Sequence, residues 1–154
     1  MPKILRLILA VLLCEGAGIL GSLFTISSIP TWYATLNKPF FSPPNSIFGP
    51  VWTILYLLMG VALFLIWENK GSKGRALQVF FIQLGLNVLW SLVFFGAHQL
   101  LLSLIIIVAL WYFIFQTIKA FARINKTASY LLYPYLTWVS FALILNLGIV
   151  ILNR

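Results

Sequence analysis

Long apolar stretches, separated by short polar or basic connections, run through the whole sequence. Each has the length, roughly 17 to 25 residues, that an α-helix needs to cross a bilayer. They lack the strand-like alternation of a membrane barrel. The pattern therefore predicts an all-α integral membrane protein, a single bundle domain over residues 1–154. Its five predicted transmembrane helices are 7–26, 47–67, 77–96, 100–118 and 130–152.

The first connection, residues 27–46, is about 20 residues long and rich in aromatic residues and proline. Aromatic side chains such as Trp32, Tyr33, Phe40 and Phe41 favour burial, so the segment is not typical of disorder. Connections of this length are more often functional than idle. We therefore expect a folded cap over one end of the bundle.

Composition supports a membrane protein, because 62% of the 154 residues are hydrophobic and only 8% are charged. Soluble domains carry about 25% charged residues. The first apolar stretch contains Glu15 and lacks a clear cleavage site, which favours a retained helix over a signal peptide.

The net charge of +8 does not indicate nucleic-acid binding, because the basic residues follow the connections rather than forming one patch. Eight of the ten fall on one side of the predicted membrane, and only Lys38 and Arg154 fall on the other. By the positive-inside rule, the N-terminus is cytoplasmic and the first connection faces outward. The eight are Lys3, Arg6, Lys70, Lys73, Arg75, Lys119, Arg123 and Lys126.

Glu15 lies near the middle of the first predicted helix, where a charge costs about 2.5 to 3.5 kcal/mol. Glu15 either belongs to a functional site or handles protons, or it is a structural acid whose carboxyl group forms a hydrogen bond with a polar neighbour on the third helix. Paired-carboxylate catalysis is excluded, since the only other acid, Glu68, lies at a helix end. The nearby segment "GAGILG" matches the spacing of a dinucleotide fingerprint, but no strand precedes it, so it indicates close helix packing.

Residues for metal binding and triad catalysis are scarce. The single histidine, His98, lies in a tight third connection, and the single cysteine, Cys14, lies in the first helix. We therefore predict no metal site and no nucleophile–base triad.

Polar residues recur on one face of the third helix, where Gln83, Asn87 and Ser91 follow at steps of four and Trp90 lies nearby. They either form hydrogen bonds between helices or supply the polar anchors of an apolar pocket. The residues alone leave both interpretations open.

Aromatic residues share faces on two other helices. Trp52 and Tyr56 lie one turn apart on the second helix, while Tyr135, Trp138 and Ala142 follow one face of the fifth. Both faces are predicted to point inward, and the small Ala142 would leave room for a bulky ligand.

Three motifs make the sequence similar to a known family: "WYATLNKPFFSPPNSIFGPVWTILYLLMG", "LNVLWSLVFFGAHQ" and "LLYPYLTWVSFALILN". Together they closely resemble the TspO/MBR family, which includes tryptophan-rich sensory proteins and mitochondrial translocator proteins. The resemblance covers nearly the whole chain and implies a five-helix protein, often a homodimer.

The resemblance implies that the structured first connection is a lid over a ligand pocket and that this pocket binds tetrapyrroles such as protoporphyrin and haem, with no cofactor required. It also implies binding of benzodiazepine and isoquinoline carboxamide drugs, a role as a stress sensor or regulator, and light- and oxygen-dependent protoporphyrin degradation. Trp52 and Trp138 are the residues expected in that photochemistry. The other residues expected to bind ligand are Trp32, Tyr33, Pro43, Pro44 and Phe48 in the lid, and Tyr56, Gln83, Asn87, Trp90, Tyr135 and Ala142 in the pocket.

The end of the fifth helix departs from the animal members, since "LILNLGIVILNR" lacks the tyrosine and basic residue of their proposed cholesterol motif. Cholesterol binding is therefore doubtful, and the absence of a mitochondrial presequence favours a bacterial plasma membrane. The alternative functions are a transporter of porphyrins or small hydrophobic molecules and a true porphyrin-degrading enzyme. Transporters commonly contain internal repeats, and none is visible here.

Overall fold

Five helical segments long and apolar enough to cross a membrane make up most of the chain. The computed structural model describes all residues, 1–154, and contains no strand. The predicted all-α membrane fold is confirmed. Its helices are α1 (Lys3–Ser28), α2 (Phe48–Trp67), α3 (Gly74–Ser91), α4 (Leu100–Ala122), α5 (Lys126–Leu131) and α6 (Tyr133–Leu152).

Two interruptions alter the predicted helices. The fifth is divided at Leu132 into α5 and α6, because Pro134 has no N–H to donate and its ring disfavours a continuous helix. The third continues beyond α3 as a π-helical turn, Leu92–Gly96, before the tight connection to α4. Such turns bring an extra residue into a helix and are frequent near functional sites.

The helices form a ring in which α1 packs against α2 and α3, α3 against α4, and α4 against α5 and α6. The ring closes where α2 contacts the short helix α5, whereas α2 packs little against α6. We call the end with the N-terminus and the second and fourth connections the basic end, and the opposite one the loop end. Because α2 contacts α5 at the basic end but packs little against α6, helices α2 and α6 separate towards the loop end.

Close contact between α1 and α2 depends on Gly60. A Cβ atom at this position would lie 2.6 Å from Cα of Val11, which is closer than two non-bonded carbon atoms can approach. Gly18 packs in the same way on the ring of Tyr56, and Gly21 lies beside Ser91. These contacts agree with the close packing predicted from the glycine-rich segment.

One ion pair fastens the basic end. The Arg6 guanidinium donates a hydrogen bond to the carboxylate of Glu68, which joins the start of α1 to the end of α2. This hydrogen bond lowers the pKa of Glu68. Both residues are partly exposed, so the pair fixes geometry more than it adds stability.

The first connection is folded and is attached to the end of α6. Asn37 and Asn153 exchange two hydrogen bonds, from Asn37 N to Asn153 Oδ1 at 3.0 Å and from Asn153 Nδ2 to Asn37 O at 2.8 Å. Lys38 bends back, and its Nζ donates to the backbone oxygens of Tyr33 and Leu36 at 3.0 and 3.2 Å. Two 3-10 turns, Tyr33–Thr35 and Asn45–Ile47, complete the segment.

The aromatic residues of this connection do not share one environment. Tyr33 is only 1% exposed, but Phe40 is 100% exposed and Phe41 is 36% exposed. The expected burial of Phe40 is therefore wrong. Its position at the loop end is typical of aromatic side chains at a membrane interface.

Candidate functional site: an aromatic cavity near the loop end

A cavity of about 500 Å³ lies between α1, α2, the end of α3 and α6. Its volume falls within the roughly 300 to 1,000 Å³ typical of small-molecule sites. Residues of the first connection, including Pro30 and Tyr33, line its loop-end side. It occupies the space created where α2 and α6 separate.

Indole rings from α2 and α6 form one corner of this cavity. The rings of Trp52 and Trp138 are perpendicular, with centroids 6.4 Å apart. Tyr56 lies 5.8 Å from Trp52, and Phe48 lies 6.2 Å from Trp138. The two contacts of Trp138 are edge-to-face, an arrangement that is favourable and fixes the rings relative to one another.

Trp90 supplies a third indole from α3 and is held by a polar contact with α6. Its Nε1 donates to Asn146 Oδ1 at 3.0 Å, and its ring stacks on Phe94 at 5.3 Å. Asn146 in turn accepts from Ser103 Oγ at 3.3 Å and donates to Leu100 O at 3.3 Å. The amide of Asn146 thus fixes Trp90 while both residues line the cavity.

The indole N–H of Trp138 differs, because it is buried without a hydrogen-bond partner. Trp138 and Phe141 line the cavity and also a groove on the outer face of the bundle between α2 and α6. These two side chains therefore form a thin wall between the cavity and the membrane-facing surface.

The α1 wall carries small and polar residues. Ser22 Oγ donates to Ile19 O at 2.7 Å, and Thr25 Oγ1 donates to Gly21 O at 3.2 Å. Both hydroxyls are therefore hydrogen-bonded to the backbone of their own helix. Glu15 lines the same wall and has no hydrogen bond or ion pair within the protein. No lysine, arginine or histidine lines the cavity.

The cavity opens sideways between the loop-end halves of α1 and α2. Ile19 and Ile26 line it on α1 and are 63% and 70% exposed, while Gly49 and Thr53 line it on α2 and are also exposed. A hydrophobic molecule in the bilayer can therefore reach the aromatic corner without crossing the first connection.

Seven of the site residues predicted from sequence line the cavity together. Tyr33 among them lies outside the membrane-spanning helices, and its burial raises the pKa of its hydroxyl, which stays neutral. The seven are Tyr33, Phe48, Trp52, Tyr56, Trp90, Trp138 and Ala142. Their contact with a ligand stays a prediction.

Three other predicted site residues lie beneath the cavity, where they bond to one another. Asn87 Nδ2 donates to Tyr135 Oη at 2.6 Å, and Tyr135 Oη donates to Gln83 Oε1 at 2.7 Å. All three side chains are buried and none lines the cavity. Gln83 and Asn87 therefore form interhelical hydrogen bonds, whereas Ser91, on the same face of the third helix, lines the cavity.

The remaining predicted lid residues lie outside the cavity wall. Trp32 stacks on the ring of His98, with centroids 4.2 Å apart and planes within 8°. Pro43 and Pro44 lie in the connection just before its second 3-10 turn, and neither lines the cavity. The Trp32 contact joins the first connection to the turn between α3 and α4, where His98 adopts a φ of 58°.

Sequence reasoning did not assign a site role to Asn146 or Phe141. An amide in an otherwise apolar helix costs energy unless it is paired, and this signal could have identified Asn146. Phe141 carries no such signal, because a phenylalanine in a membrane helix faces lipid as readily as a cavity.

Known proteins resemble the chain over almost all of its length. The sequence model of the TspO/MBR family matches residues 10–152. "Tryptophan-rich protein TspO" of Archaeoglobus fulgidus is 47% identical over 152 residues, which cover 98% of this chain and 99% of that protein. "Tryptophan-rich sensory protein" of Cereibacter sphaeroides is 38% identical, with 79% and 77% covered. "Translocator protein" of Homo sapiens is 36% identical, with 82% and 77% covered.

Proposed function

Because the chain belongs to the TspO/MBR family of integral membrane proteins, we propose that it binds a tetrapyrrole, protoporphyrin or haem, in the aromatic cavity and acts as a stress sensor or regulator. A relative named "Tryptophan-rich sensory protein" supports the sensory role. The observation that carries the proposal is the set of three indoles, Trp52, Trp90 and Trp138, around one cavity of about 500 Å³.

The chemistry of the lining suits a flat, largely apolar ring system. Indole and phenyl faces stack on such a ring. Since no basic residue lines the cavity, the carboxylates of protoporphyrin would lie towards the opening between α1 and α2. There they stay in contact with water or lipid headgroups.

The proposal includes an orientation with the basic end in the cytoplasm, in the plasma membrane of a bacterium. The first connection then lies outside and serves as the lid of the cavity. Benzodiazepine and isoquinoline carboxamide drugs would use the same apolar volume.

Binding is tested by titrating the purified protein with protoporphyrin in the dark and following the quenching of tryptophan fluorescence. Ala142→Phe fills the cavity and should weaken binding at least tenfold. Val108→Phe places the same aromatic side chain on an exposed face of α4 and is the control. Equal binding by both variants would place the ligand elsewhere.

Illumination tests the light-dependent degradation of protoporphyrin. Trp52→Phe and Trp138→Phe should each abolish the loss of porphyrin absorbance while dark binding survives, since phenylalanine keeps the apolar wall but lacks the more easily oxidised indole. Trp67→Phe, at the basic end and outside the cavity, is the control. Degradation that continues unchanged in both variants would exclude these indoles as the reacting groups.

Transport is the second candidate, because several relatives are named "Translocator protein". Beneath the cavity, however, the hydrogen-bonded side chains of Gln83, Asn87 and Tyr135 fill the interior between α3 and α6. Counterflow of protoporphyrin in liposomes that contain the protein tests this candidate. Uptake above that of empty liposomes would favour transport over a purely sensory role.

A further inference from the structure

The carboxyl group of Glu15 is a feature of the cavity that tetrapyrrole binding does not use. Glu15 lies one turn before Gly18, and Gly18 packs directly on the ring of Tyr56. Glu15 itself lines the cavity and is therefore close to the aromatic corner. It makes no hydrogen bond or ion pair with the rest of the protein.

No basic residue of the protein lies beside this carboxyl group. The cavity lining contains no basic residue, and the single ion pair of the chain, Arg6–Glu68, lies at the basic end. At the loop end, Lys38 is already bonded to backbone oxygens and lies over the ring of Tyr33, 4.8 Å from its centroid. An unpaired acid in such a setting is most stable in its neutral form, and a cationic ligand would stabilise the ionised form instead.

The aromatic rings next to Glu15 favour the same kind of ligand. The faces of indole and phenol rings attract cations, most strongly where water is excluded. Tyr56 and Trp52 are 5.8 Å apart with their planes tilted by 34°, and Trp138 stands perpendicular to Trp52. One carboxylate and several ring faces thus surround the same volume.

We propose that this cavity also binds hydrophobic organic cations, meaning amines or quaternary ammonium compounds with an aromatic body. The charged nitrogen lies against Glu15 and Tyr56, and the aromatic body fills the corner formed by Trp52 and Trp138. This ligand class goes beyond the proposed tetrapyrrole function and has the opposite charge preference. The two ligands share one volume and therefore compete.

A matched pair of ligands tests the proposal. One is (4-phenylbenzyl)trimethylammonium, and the other is its neutral isostere, in which carbon replaces the quaternary nitrogen. Titrations of the purified protein in detergent should show the cation binding at least tenfold more tightly. The cavity-filling variant Ala142→Phe serves as the blank that corrects for partition of each ligand into detergent.

Glu15→Gln keeps the shape of the side chain and removes its charge. It should abolish the preference for the cation and leave the affinity for the neutral isostere within about twofold. Glu68→Gln removes the other carboxylate of the chain and should leave the preference intact. Equal affinities in the wild-type protein, or a preference that survives in Glu15→Gln, would overturn the proposal.

Protoporphyrin titrations on the same proteins separate this proposal from the tetrapyrrole function. Removing the carboxylate at position 15 should maintain or strengthen protoporphyrin binding, because an anionic ligand loses a repulsive neighbour. If the wild-type protein binds the cation but not protoporphyrin, the tetrapyrrole function fails and the cation site stands.

Discussion

Replacing Tyr135 by phenylalanine tests whether the polar residues beneath the cavity hold the bundle together. The change removes one hydroxyl group, which accepts a hydrogen bond from Asn87 and donates one to Gln83, and leaves the ring in place. The side chain is 1% exposed, so water cannot replace the lost partner. Two buried amide groups would then lack their hydrogen bonds.

The loss in the free energy of unfolding can be given a lower and an upper bound. Hydrogen bonds between membrane helices average about 0.6 kcal/mol, so two of them set a lower bound near 1 kcal/mol. Leaving a buried amide unpaired in a protein interior costs about 1 to 3 kcal/mol. We expect Tyr135→Phe to destabilise the protein by about 1 to 3 kcal/mol. For a chain of this size, this lowers the unfolding temperature by about 2 to 12 °C.

The chain carries its own reporter for this measurement, since its single cysteine, Cys14, is fully buried. A thiol-reactive fluorophore labels Cys14 only when the bundle opens, so heating in detergent gives an unfolding temperature. Tyr133→Phe is the matched control, because Tyr133 lies two residues away, is 47% exposed and forms no side-chain hydrogen bond. Its unfolding temperature should match that of the wild-type protein.

The same pair of variants separates a structural from a ligand-binding role. If Tyr135 acts only through its neighbours, protoporphyrin affinity below the unfolding temperature should stay within about twofold of wild type. An unfolding temperature for Tyr135→Phe equal to that of Tyr133→Phe would refute the structural role. Lost affinity at unchanged stability would restore Tyr135 as a ligand contact.

Three further substitutions test other contacts. Gly60→Ala should lower the unfolding temperature, since overpacking against the α1 backbone costs about 1 to 3 kcal/mol, whereas Gly85→Ala, with open space around it, should be neutral or stabilising. Gly148→Ala should loosen the first connection and speed its proteolysis, because the new Cβ would lie 2.6 Å from a loop proline. Glu68→Gln should lower stability at neutral pH. The pKa of Glu68 is lowered from 4.5 in the folded protein. The ion pair therefore stabilises the folded state above about pH 4.5, and this stabilisation is lost as the pH falls through the lowered pKa. The difference between Glu68→Gln and wild type in thermal unfolding should therefore vanish in acid.

The number and approximate positions of the membrane helices could be predicted because a bilayer imposes a minimum apolar length. Their ends could not, since charged side chains extend towards water and let a helix continue past the hydrocarbon. For this reason α1 begins at Lys3, before the apolar stretch that starts near residue 7. The break before α6 did have a visible signal in Pro134.

The candidate site was only partly predictable from periodicity. Spacing indicates that Asn87 and Tyr135 face inward, but it does not tell a helix contact from a cavity wall. That distinction depends on which distant segment lies opposite, and here the two residues bond each other across 48 positions of sequence. The Trp52 and Trp138 corner could be predicted because each tryptophan shares its helix face with other residues expected to point inward, and the small Ala142 leaves space one turn after Trp138.

The paired hydrogen bonds between Asn37 and Asn153 connect positions 116 residues apart. Fraying of the final turn of α6 and detachment of the first connection are therefore one event rather than two. Amide hydrogens in both places should exchange with solvent through the same local opening. Asn153 thus controls how often the loop-end side of the cavity is exposed, although it does not line the cavity.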